Sequence, residues 1–174
     1  MTHADAIELI KNCIPYSNQS VQWVDLGSGS GTFTKALADL LPDGSTITAI
    51  DQTDYQINSP NAAVTIQFLH ANFTIQNVIP ANLDGLIIAN ALHYVSDQRD
   101  LLQRLSTHLK KNGCLIVIEY DTDRSNPWVP YPLTFERLHD LLRLSGFSEI
   151  TKVSERNSVY NASTMYAAVA FSGR

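Results

Sequence analysis

Short unbroken apolar runs alternate along this chain with stretches in which apolar residues return every three or four positions. The runs VQWVDL (21–26), STITAID (45–51), VTIQFLH (64–70), LDGLIIAN (83–90) and CLIVIEY (114–120) have the length and β-branched content of buried strands. The periodic stretches predict helices. HADAIELIKNC (3–13) sets Ala6, Ile7, Ile10 and Cys13 on one face before Pro15, and TFTKALADLL (32–41) aligns Phe33, Ala36, Leu37, Leu40 and Leu41. SDQRDLLQRLSTHLKKNG (96–113) predicts a helix capped by Ser96 or Asp97 and striped by Leu101, Leu102, Leu105 and Leu109. Lys110 and Lys111 fall at its negative end, and Gly113 closes it. TFERLHDLLRLSGF (134–147) repeats the same cap, stripe and glycine.

Between these lie QTDYQINSPN (52–61), too polar for a long helix, and DTDRSNPWVPYP (121–132), a proline-rich loop. SEITKVSE (148–155) and STMYAAVAF (163–171) read as two last strands, joined by a connection holding Arg156, Asn157 and Asn161. Strands alternating with helices predict right-handed crossovers and an α/β fold with a mainly parallel sheet. The last two strands have no helix between them and predict an antiparallel hairpin. No repeat or linker divides the chain, so residues 1–174 are read as one domain, with 1–20 as an N-terminal helical cap segment.

Charge narrows the partners. A net charge of −5 and a pI near 5.4 leave no basic field for phosphate backbones, which argues against nucleic acid. No stretch approaches the roughly 20 apolar residues of a membrane helix. The N-terminus lacks the basic start and apolar core of a signal peptide, so a cytoplasmic protein without a membrane partner is expected. Cys13 and Cys114 are far apart with no CxxC, giving neither a metal site nor a disulfide framework; a buried thiol is the default for Cys114.

The candidate chemistry sits in VDLGSGSGTFT (24–34), where Gly27, Gly29 and Gly31 stand between a strand and a helix. Glycines clustered at such a junction point to a turn other residues cannot make, or to a ligand approached by bare main chain. In open α/β sheets ligands lie beyond the carboxyl ends of the strands, and the first strand–helix turn contributes. Asp51 ends the second strand, placed to accept from two ribose hydroxyls. Together these suggest a nucleoside. Thr32 stands where the dinucleotide fingerprint GxGxxG needs glycine, and no GK[ST] follows, which disfavours NAD and removes a P-loop.

The ordered set of motifs resembles the class I S-adenosylmethionine-dependent methyltransferases, particularly the small-molecule type. VDLGSGSGTFT is similar to their first motif, ITAID to the second-strand acid, and LDGLIIANALHYV to the fourth-strand motif. LKKNGCLIVIEYD resembles the fifth-strand motif, and LLRLSGF with two strands resembles the family's ending. The resemblance implies a Rossmann-like seven-stranded sheet with helices on both faces and S-adenosylmethionine as cofactor. It implies that Gly27, Ser28 and Gly29 pass beneath the methionine moiety and that Asp25 binds its ammonium group, directly or through water. Asp51 would hold the ribose, Asn72 would accept from the adenine amino group with Phe73 beside it, and the Asn90 carbonyl would lie near the sulfonium. Two positions depart from the family pattern: Asn72 replaces a carboxylate, and Gln52 stands where an apolar residue commonly covers the adenine.

Methyl transfer is an in-line displacement that needs the nucleophile held about 3 Å from the methyl, with a base only when that nucleophile is protonated. By position His93 is the candidate base; the alternative is a histidine hydrogen-bonded within its turn. Glu119 and Tyr120 end the fifth strand at the same rim, either facing substrate or solvated. Trp128 and Tyr131 either wall a substrate or pack as a connecting loop, and Tyr16 either closes the cofactor site or anchors the chain. The thin cap predicts an open site, suited to a small-molecule or carrier-bound substrate, or completed by a second subunit in a homodimer. The expected function is methyl transfer to O, N or C of a small or medium-sized molecule. The alternative is a non-catalytic, S-adenosylmethionine-binding partner subunit.

Overall fold

In a computed structural model of the chain, residues 1–75, 77–157 and 164–173 are described. The elements run α1 (His3–Ile10), β1 (Gln22–Leu26), α2 (Thr32–Leu40), β2 (Thr46–Asp51), β3 (Thr65–His70) and β4 (Leu83–Ala89). A 3-10 turn (Leu92–Tyr94) follows, then α3 (Gln98–His108), β5 (Leu109–Tyr120), α4 (Phe135–Leu144), β6 (Phe147–Asn157) and β7 (Thr164–Ser172). The seven strands form one sheet in the order β3-β2-β1-β4-β5-β7-β6. β1 to β5 pair in parallel, and β7 lies between β5 and β6, antiparallel to both, so among the described strands six run one way and β7 the other.

The unbroken apolar runs are explained by burial on two sides. Leu86 and Ile88 of β4 and Leu115 and Val117 of β5 pack with Leu101, Leu105, Leu138 and Leu142 of α3 and α4. The intervening Ile87, Cys114, Ile116 and Ile118 point the other way, against Leu9 and Ile10 of α1 and Phe33 and Leu37 of α2. Each strand therefore feeds two cores, as a period of two requires when helices cover both faces. Thr2 caps α1 in a reciprocal capping box with Asp5, and Thr134 caps α4. No described helix is long and apolar enough to cross a membrane.

One helix boundary differs from expectation. Of the two expected caps Asp97 serves α3, accepting from the Asp100 N–H, but the helix stops at His108 instead of running to Gly113. Leu109 is extended and pairs with Leu83 across a register shift, so the sheet captures the chain before the glycine is reached. Lys110 is consequently no helix C-terminal cation; its Nζ meets both Asp84 carboxylate oxygens at 2.8 and 2.9 Å. Gly113 is required by close approach, since a Cβ there would lie 2.9 Å from the Leu83 carbonyl oxygen. Arg156 and Asn157 belong to the end of β6, not to a connection. Asn161 and the expected strand start at Ser163 lie outside the described residues.

Candidate active site

The strand β1 ends in the glycine turn, and the turn folds back onto β2. The Gly27 and Ser28 N–H groups both donate to the Ile50 carbonyl, at 2.8 and 3.1 Å. Gly27 and Gly29 have φ of 72° and 52°, left-handed values that glycine adopts without strain. Their surroundings differ. A Cβ on Gly27 would stand 2.6 Å from Ala91 Cβ, whereas one on Gly29 would meet nothing within 4 Å. Gly27 is bare because the chain after β4 crosses it; Gly29 is bare where the main chain faces open space.

That space has two compartments with Gly27, Gly29 and Asn90 as shared walls. One, of about 290 Å³, is bounded by Ser28, Phe33, Tyr120, Arg156 and Met165. The other, of about 640 Å³, is bounded by Asp51, Gln52, Asn72, Phe73 and Tyr94. Eight of the expected cofactor residues thus border one cleft over the carboxyl ends of the strands, and Asp25 lies two positions before Gly27. Asn90 sits at the junction with φ of 51°, its N–H donating to the Ile118 carbonyl at 2.8 Å.

The Asp51 carboxylate shapes the turn. Oδ2 accepts from the Gly29 N–H and Oδ1 from the Thr53 N–H, both at 2.8 Å. Each oxygen retains a second lone pair for a ligand hydroxyl. Asn72 uses its Oδ1 locally, accepting from the Thr74 N–H at 3.0 Å and hydroxyl at 2.7 Å. Phe73 is buried beside it.

Asp25 is 1% exposed. The Thr34 hydroxyl, one turn into α2, donates to its Oδ2 at 2.6 Å, while Oδ1 has no partner among the described residues. Burial pushes this carboxyl up to about 7; the Thr34 hydrogen bond opposes the rise and the Asp51 charge adds to it. Ser28 Oγ and Asn90 Oδ1 are likewise buried without partners. Buried polar atoms are seldom left unpaired, so three of them around one turn mark a place completed by a polar ligand. An ammonium group suits the Asp25 acceptor and a diol suits Asp51. The residues present therefore fit S-adenosylmethionine.

The expected catalytic base is placed elsewhere. His93 lies on the 3-10 turn, 3% exposed, and borders neither compartment. Its Nδ1 lies 2.6 Å from Glu119 Oε2, and its backbone N–H donates to Oε1 at 3.1 Å. The Glu119 carboxylate, 1% exposed, turns inward to hold that turn and borders neither compartment. The same turn anchors the loop after β5: the Tyr131 N–H donates to the His93 carbonyl, and Gln98 Nε2 donates to the Tyr131 carbonyl at 2.8 Å. His93 thus takes the alternative of a hydrogen-bonded turn histidine, while Glu119 is neither solvated nor on the cleft wall. His93 and Glu119 are a buried brace between β5 and the segment after β4.

Tyr120 does border the smaller compartment. Trp128 and Tyr131 do not; Trp128 is 78% exposed on a tight turn made by Asn126, so neither walls the cleft. Tyr16 is corrected too. It lies with Trp23, Asp84 and Lys110 around a separate cavity at the amino ends of β1 and β4, the opposite rim of the sheet. Sequence reasoning passed over Thr34, Tyr94, Arg156 and Met165. Thr34 carried a signal, as a hydroxyl in the first turn after the glycines; the others are placed only by the tertiary fold. No group of His, Cys, Asp and Glu among the described residues is arranged to hold a metal ion.

Comparison with known proteins agrees with this geometry. The family described as methyltransferase domain matches residues 24–117, just over half of the chain. Uncharacterized methyltransferases of Mycobacterium bovis and Mycobacterium tuberculosis are 30% identical over 129 residues, covering 69% of this chain. The matched chain spans 59% of those relatives' length. Among solved structures, phosphoethanolamine N-methyltransferase 2 of Haemonchus contortus, in complex with S-adenosyl-L-methionine, superimposes with a TM-score of 0.72 at 13% identity. That match covers 98% of this chain and 53% of that one. The YcgJ protein of Bacillus subtilis gives 0.73 at 9% identity, covering 99% of this chain and 100% of that one. These two likenesses show the fold, down to its reversed last hairpin. The glycine turn, the second-strand acid and the family match lead to one conclusion: this chain belongs to the S-adenosylmethionine-dependent methyltransferases, in the family described as the methyltransferase domain.

Proposed function

We propose that the chain transfers a methyl group from S-adenosylmethionine to O, N or C of a small or medium-sized organic acceptor. The observation that carries this reading is Gly29, whose missing side chain opens onto a cleft and whose N–H is fixed by the Asp51 carboxylate. When bound, the cofactor supplies an electrophilic methyl on a positively charged sulfur. The residues do the rest. Asp25 and Ser28 receive the amino-acid end, Asp51 receives the sugar hydroxyls, and Gln52, Asn72 and Phe73 bound the space for the base. Asn90, held left-handed over the turn, brings carbonyl and amide oxygens to the junction of the two compartments, where they favour a sulfonium. Burial of these dipoles means they need no reorganisation as the charge moves.

Among the described residues bounding the acceptor-side compartment, the only side chain with an ionisable proton apart from Arg156 is the Tyr120 phenol. Catalysis is therefore assigned to positioning, with an acceptor whose lone pair is available at neutral pH. The absence of a carboxylate or imidazole among the described residues of that compartment also favours the second reading, a partner subunit that binds the cofactor without turning it over. Calorimetric titration with S-adenosylmethionine and S-adenosylhomocysteine tests the first step: both bind, and Asp51→Ala weakens binding at least tenfold. No binding of either compound overturns the reading. Transfer of labelled methyl into any acceptor excludes the non-catalytic alternative.

A further inference from the structure

Arg156 is the only charged side chain among the described residues bounding the smaller compartment. It stands there against the average of a chain with 12 Lys and Arg to 17 Asp and Glu. Among the described residues its one ion-pair partner is Asp5, at 3.1 Å from Nη1, and the side chains of Arg156 and Asp5 are 29% and 37% exposed. Such a pair contributes little to stability, so fold maintenance is a weak reason for the cation. A guanidinium carries five N–H donors, and one carboxylate uses two at most.

Register fixes its neighbours. Tyr120 of β5 pairs with Met165 of β7, and Met165 pairs with Arg156 of β6. All three border the compartment, so a phenol ring, a thioether and a guanidinium line up across adjacent strands. With strands about 4.8 Å apart, the Arg156 backbone lies about 10 Å from Tyr120. It lies about 19 Å, four strand spacings, from the glycine turn on β1. Its side chain reaches from the far edge of the sheet into the compartment whose opposite wall is Ser28 and Gly29, with Met165 and Tyr120 between.

Resting on the methyl-transfer reading, we propose that Arg156 holds an anionic group, carboxylate or phosphate, of the methyl acceptor, whose apolar body lies over Met165 and Tyr120. The planar fork of arginine matches both oxyanions. No carboxylate among the described residues borders the compartment to favour an ammonium-bearing acceptor instead.

Calorimetry with S-adenosylhomocysteine separates acceptor from donor: Arg156→Gln changes its affinity less than twofold. A loss of tenfold or more overturns the proposal, because Arg156 would then serve the donor's own carboxylate. No binding to the unaltered protein removes the methyl-transfer reading itself. For the acceptor, a small-molecule cell extract is split beforehand on an anion exchanger, and each fraction is incubated with methyl-labelled S-adenosylmethionine. Label enters the retained, anionic fraction, and Arg156→Gln lowers that incorporation about ten- to a hundredfold, as loss of a charged hydrogen bond does. Arg156→Lys restores part of it. Asp5→Asn breaks the same ion pair while keeping the cation and leaves incorporation within twofold, which a purely structural role of the pair would not allow. Label confined to the unretained fraction, or anionic incorporation that Arg156→Gln leaves undiminished, overturns the proposal.

Discussion

Gly27 and Gly29 share a left-handed backbone but not a neighbourhood, and substitution should separate packing from binding. Gly27→Ala adds a Cβ 2.6 Å from Ala91 Cβ to the left-handed strain of about 1–2 kcal/mol, so its melting temperature falls well below that of Gly29→Ala. Gly29→Ala carries the strain alone, yet places a methyl in the cleft, and S-adenosylhomocysteine affinity should drop at least tenfold. Equal melting temperatures for the two variants, or unchanged affinity in the second, would contradict the assignment. Asp25 gives a pH test. Its carboxyl is pushed up to about 7 by burial, so it is protonated below that pH in the ligand-free fold, while an ammonium partner needs it ionised. Affinity for S-adenosylhomocysteine should rise from pH 6 to 8, by up to about tenfold per unit below 7. Because the folded carboxyl holds its proton more tightly than the unfolded one, ligand-free stability should run oppositely, increasing as pH falls from 7 toward 4. Asp25→Asn flattens both trends; a flat affinity profile in the unaltered protein counts against the role.

Most strands could be read from the sequence because β1, β4 and β5 are buried on both faces, so apolar residues fill most positions of their runs. The end of α3 could not. Leu105 to Lys111 suits a helix locally, and only the pairing of Leu109 with Leu83 stops it. That eight of the expected cofactor residues border one cleft was similarly legible, since they lie at strand ends or on the turns that follow them. The pairing of His93 with Glu119 was not legible for the opposite reason: they are 26 positions apart, and which way a side chain turns at a strand end is decided by its partner. Tyr16 follows α1 too loosely for its rim to be inferred. The buried brace predicts its own test. Glu119→Ala leaves the His93 ring and backbone N–H groups without an acceptor and should cost about 3 kcal/mol in urea unfolding, against about 1–2 kcal/mol for Glu119→Gln, which keeps one oxygen. A loss below about 1 kcal/mol for the alanine variant would show that the pair does not brace the two elements.

The molecule holds together as a sheet between two apolar layers, and the layer under α1 and α2 contains both cysteines. Burial pushes the Cys13 thiol up to about 12 and raises Cys114 as well, and reaction with disulfide reagents requires thiolate. Both thiols should be silent toward such a reagent in the native protein and titrate together in urea; fast modification of either one before unfolding would show that this layer opens locally. The same layer fixes where the chain's ends emerge. α1 is held to α2 by His3 and Asp39 and to β6 by Asp5 and Arg156, and Met1 borders the smaller compartment. β7 runs the other way, so Phe171 lies beside Cys114 and Gly173 closes onto Gly146 at the far rim. A purification tag or fused reporter placed ahead of Met1 would drape over the cleft and compete with whatever enters it, whereas one appended after the last strand would leave that doorway clear.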